Sequence, residues 1–282
     1  DLKDLPELQI WQKIGYANLS SEFQNQDFSS IESVTEISKI KLLISYDARA
    51  AYRTGKVSVA DLKDLDESKI KLLISYDANA AYRTGKVSVA DLKDLDESRI
   101  QLLISYDARE AYSIGKLSAA ELKDLDESKI QLLLSYDARE AYKTGKVSAA
   151  DLKDLPELQI WQKIGYANLS SEFPNQDFTS IESVTEISKI QVLLSYEARN
   201  AYRTGKVSVA DLKDLDEAKI KLLLSIAVYR EVSIADSKDL DESKIKLLLS
   251  YEAREAYRTG KVSVADLKDL PELQIWQKIG YA

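Results

Sequence analysis

The chain copies itself every 30 residues, and this repetition constrains its fold more than any other feature. The clearest copy is Asp126–Leu155, DESKIQLLLSYDAREAYKTGKVSAADLKDL. Related stretches start at positions 1, 31, 61, 91, 121, 151, 181, 211, 236 and 266. A unit this short cannot bury an apolar face alone, so repeated units must stack and share one core. Length therefore does not count domains here, and no Pro-, Gly- or Ser-rich linker divides residues 1–282.

Within the unit, Ile130, Leu133, Leu134, Ala138 and Ala141 recur at helical spacing. No Gly or Pro interrupts Asp126 to about Thr144, which predicts one long helix. Leu132 and Tyr136 lie on a second side of it, so neighbours are expected on both flanks. Gly145 should end this helix in the left-handed conformation. Ser148, three residues before Asp151, is spaced as a capping box for a short second helix, about Ala149 to Leu155. Asp126, or Pro6, Pro156 and Pro271 in a variant unit, opens the following long helix. The expected fold is all-α, a solenoid of about nine helix–turn–helix repeats, each a long helix plus a short one.

Two departures stand out. A variant unit, DLKDLPELQIWQKIGYANLSSEF, occupies 1–30, 151–180 and, in part, 266–282. It puts Trp11 where other units have Lys41, Gln101 or Gln131, and Gly15 where they have Ser45. Mid-helix glycine costs about 1 kcal/mol unless something packs closely against it. The connection after this helix carries Phe23, Phe28, Phe173 and Phe178, the only phenylalanines. The second departure is a shortened repeat at 211–235, where the stack should bend or shear. Scattered exchanges and this irregular deletion are the pattern of duplication followed by drift.

Composition narrows the chemistry. The chain is 45% hydrophobic and 30% charged, as folded proteins are. Its net charge of −8 opposes a nucleic-acid or anionic-membrane surface, including a base-per-repeat code. No apolar run approaches the ~20 residues of a membrane span. Cys, His and Met are absent, which removes thiol chemistry, the usual general base and the commonest transition-metal ligand. No catalytic residue, metal ligand or cofactor is expected.

Four motifs bear on binding. TGKVSVADL resembles the second half of an EF-hand loop, but the ligand positions before Gly55 are Ala50, Tyr52 and Thr54, without the carboxylates calcium needs. The acidic run with Asp61, Asp64, Asp66 and Glu67 reads as helix termini partly neutralised by Lys63 and Lys69, with a weak divalent-cation edge as the alternative. Asp47, Asp77, Asp107, Asp137, Glu197 and Glu252 fall on the apolar face of the expected long helix and are predicted to be buried acids with partners. Those partners would be backbone N–H groups or a basic side chain of an adjoining unit; the functional alternative is a groove for a cationic peptide. Trp11, Trp161 and Trp276 occupy solvent-facing positions, so they are candidates for protein contacts or for packing at a modified unit interface. The sequons at Asn18 and Asn168 lie within a predicted helix and carry little weight.

In architecture the chain resembles helical-hairpin solenoids, the class of tetratricopeptide and HEAT-type proteins. The resemblance covers the whole length and implies an extended binding or building surface and no activity. Because the units are nearly identical, the leading expectation is a non-enzymatic structural array: a cell-surface stalk, adhesin or filament. It would partner itself, head to tail or laterally, or another protein, with an extracellular or surface location favoured. Residues 1–17 and 266–282 are the same sequence, which suggests a window on a longer array or a filament-forming contact. The alternative is an intracellular scaffold that grips a protein or peptide in its concave face.

Overall fold

Every unit spends its apolar residues on helices that cannot stand alone, and the computed structural model shows how they are combined. It describes residues 4–114, 117–227 and 234–280. Among these residues there are 23 α-helices, two 3-10 helices and no strand, so the fold is all-α as expected. The chain forms two compact units, Asp1–Lys143 with Ser148–Asp154, and Thr144–Val147 with Leu155–Ala282.

The expected long helix is two helices. In the unit at 91, α1 (Glu97–Ile104) and α2 (Tyr106–Ser113) are separated by Ser105, whose backbone is extended at φ −59° and ψ 164°. The Ser105 hydroxyl accepts the Ala108 N–H, at 3.2 Å, as an N-cap does. Ser45, Ser75, Ser135, Ser195 and Ser250 cap in the same way. A break leaves carbonyls of the first helix without partners. The buried Tyr112 hydroxyl donates to Leu103 O at 3.0 Å, and Tyr52, Tyr82, Tyr142 and Tyr202 repeat this bond nine residues back. Arg49 Nε, Arg199 Nε and Asn79 Nδ2 donate to the next carbonyl, those of Ile44, Leu194 and Ile74. The segment SYDARxAY therefore carries a helix break together with a tyrosine that satisfies one freed carbonyl, and in the units at 31, 61 and 181 a second donor for the next one. Between these donors, Ala108 and Ala111 are fully buried and let the helices approach closely.

Loop and cap signals behave as read. Gly55, Gly85, Gly145, Gly205 and Gly260 take positive φ after the second helix. Ser148 and Asp151 form a capping box over the short helix Ala149–Leu152. Asp66, Asp96, Asp126 and Asp241 are N-caps of the next unit, and Pro6, Pro156 and Pro271 stand at the same place in the variant units.

In the two complete variant units the break is gone. Glu7–Glu22 and Glu157–Glu172 are continuous 16-residue helices. Gly15, Leu19 and Glu22 stand where Ser45, Arg49 and Tyr52 stand in the next unit, so cap and carbonyl donors are absent together. Glycine makes room there for an isoleucine: a Cβ on Gly15 would lie 2.6 Å from Ile31 Cδ1, and one on Gly165 2.6 Å from Ile181 Cδ1. Phe23 and Phe28 pack edge-on against Tyr52 (centroids 6.1 and 5.3 Å), as Phe173 and Phe178 do against Tyr202. Glu22 binds Arg49 and Arg53, and Glu172 binds Arg199 and Arg203, tying each variant unit to the unit after it.

The shortened repeat tests the same rule. Helix Glu217–Ala227 runs through Ser225, whose hydroxyl donates to Lys221 O four residues back instead of capping. Residues 228–233, on which the expected bend depends, lie outside the described residues.

Candidate functional site

The residue after each breaking serine opens the second helix and points to solvent. Tyr46, Tyr76, Tyr106, Tyr136, Tyr196 and Tyr251 are 64–79% exposed. The expected second flank for Tyr136 is therefore absent; the turn at Ser135 directs it outward, while Leu132 on the preceding helix is buried. In the first compact unit the second helices Tyr46–Tyr52, Tyr76–Arg83, Tyr106–Ser113 and Tyr136–Lys143 pack each on the next. Their tyrosines consequently form a row with one phenol per unit.

The acids predicted to be buried belong to this surface. Asp47, Asp77, Asp107 and Glu197 are exposed and Asp137 and Glu252 half-exposed, each beside its tyrosine in the first helical turn. The expectation fails because the break resets the helical phase: a continuous helix would have turned these positions inward. The expected partner from an adjoining unit is seen at Asp77 and Asp107. Arg109 pairs with Asp77 at 3.1 Å and Arg139 with Asp107 at 2.7 Å, while both carboxylates stay 57% exposed. Asn79 replaces arginine in the unit at 61 and donates to the Asp47 backbone carbonyl instead, at 3.4 Å.

The tryptophans divide. Trp161 is only 9% exposed and is no outward contact. Trp11 and Trp276 are half-buried, and Lys41, at the position equivalent to Trp11 one unit on, holds its ammonium 4.8 Å from the Trp11 ring centroid. Asn18 is exposed and Asn168 buried on their continuous helices.

The acidic run is occupied by helix starts. Asp66 accepts the Lys69 N–H and the Ser68 hydroxyl, and these bonds hold its carboxyl below the usual range; Asp96 and Asp241 are depressed by the same pair of bonds. In Asp126 the Ser128 hydroxyl is the larger cause. The single hydroxyl proton of Ser68 is shared between Asp66 and Glu97, and that of Ser98 between Asp96 and Glu127, one unit on. Among the described residues no group of three or more acidic side chains is placed to hold a metal ion, and no helix is long and apolar enough to cross a membrane.

A second feature recurs. Shallow surface grooves of about 460 and 340 Å³ lie 150 residues apart, one lined by Asp27, Ser30, Gly55, Lys56 and Asp61, the other by Asp177, Ser180, Gly205, Lys206 and Asp211. Both follow a variant unit. In each, an aspartate is already committed to the capping box of Ser58 or Ser208.

The chain matches no protein-family model, no curated protein and no solved structure. The exposed tyrosine row was not singled out by sequence reasoning. Its signal was available in the units themselves: position 46 and its equivalents stay Tyr in all six broken units, directly after the invariant serine.

Proposed function

We propose that the protein is a non-enzymatic structural array, in which stacked units supply length and a repeated surface. The observation that carries this reading is the register of the bonds between units. The Val89 N–H donates to Lys56 O and the Ala119 N–H to Lys86 O. Lys63 bonds Ser33 and Lys213 bonds Ser183, each 30 residues apart, at 3.2 and 3.3 Å. Contacts that recur in register from one unit to another suit units that all do one mechanical job, as in a stalk or filament.

Pulling the chain from its ends with a force probe tests this. Units that yield in turn should release about 100 Å of contour each, from 30 residues at roughly 3.3–3.6 Å per residue. Rupture of the whole chain in one step would sink the array reading. The exposed tyrosines favour a second reading, a scaffold that holds another protein along this face.

A further inference from the structure

We draw no further inference here: the strongest candidate, the face of helix Glu7–Glu22 on which Ile10, Trp11 and Ile14 are only half-buried while their counterparts Ile160, Trp161 and Ile164 are buried, carries nothing, because nothing in the structure shows what covers it.

Discussion

The hydroxyl of Tyr112 donates to the carbonyl of Leu103, 3.0 Å away and nine residues back, at the point where the first helix of the unit stops. Both residues are buried, so no water can replace the bond. Tyr112→Phe leaves that carbonyl unsatisfied and should cost about 1–3 kcal/mol in chemical denaturation. Ser105→Ala, which removes the cap opposite it, should cost about 1 kcal/mol. A Tyr112→Phe variant as stable as the parent would mean that the break is not held by this bond.

Gly15 makes the opposite demand. Gly to Ala inside a helix ordinarily stabilises by about 1 kcal/mol. Here the added carbon would meet Ile31 Cδ1 at 2.6 Å and Ile44 Cγ2 at 3.2 Å, so overpacking of roughly 1–3 kcal/mol should reverse the sign. Ile31→Val removes the nearer carbon and should recover part of the loss in a double-mutant cycle. Additive effects of the two changes would show that the clash is relieved elsewhere.

Trp161 and Trp11 occupy the same place in two copies of one unit and should respond differently. Trp161→Ala empties a buried site and should cost about 3–5 kcal/mol, as large aromatic truncations do. Trp11→Ala removes a half-buried ring and one lysine contact and should cost clearly less. Equal losses of thermal stability would contradict the difference in burial.

The helix-capping aspartates fix the acid limit. Asp66, Asp96, Asp126 and Asp241 have carboxyls depressed by backbone and hydroxyl donors, and Asp266, bonded to Lys278 and Ser263, is lowered to about 2. A depressed carboxyl contributes stability above its unfolded value near 3.9, and the contribution is lost as pH falls through the folded value. Melting temperature should therefore drop between about pH 4 and pH 2. At the other end, burial raises the phenols of Tyr52, Tyr82, Tyr112, Tyr142 and Tyr202 above the ordinary value of 10. Unfolded tyrosines ionise first, so stability should fall again as pH rises past about 10. A flat melting profile across either window would contradict the assignment.

Signals that act within a few residues were legible in the sequence. Gly145, the Ser148–Asp151 box and the prolines act within one turn of backbone, and each marks the boundary it was read to mark. The break at Ser135 was hidden because Ile130, Leu134, Ala138 and Ala141 keep helical spacing across it, and a window that counts apolar residues cannot register a reset of phase. An unbroken helix would turn the acids inward and cover Tyr136, so both expectations depend on the phase being kept at Ser135. The clue lay in comparison between units, where glycine replaces the serine only when the arginine and the distal tyrosine are replaced as well.

This linked replacement limits how such a gene can change. Turning a broken unit into a continuous one means exchanging Ser, Arg and Tyr at positions four and three residues apart. Exchange of the serine or of the tyrosine alone leaves a helix start without its cap or a carbonyl without its donor. Conversion by stepwise point mutation must therefore cross unstable intermediates, whereas copying or deleting a whole unit crosses none. Variation in this lineage should accordingly show up as the number and order of the two kinds of unit, with few hybrids between them.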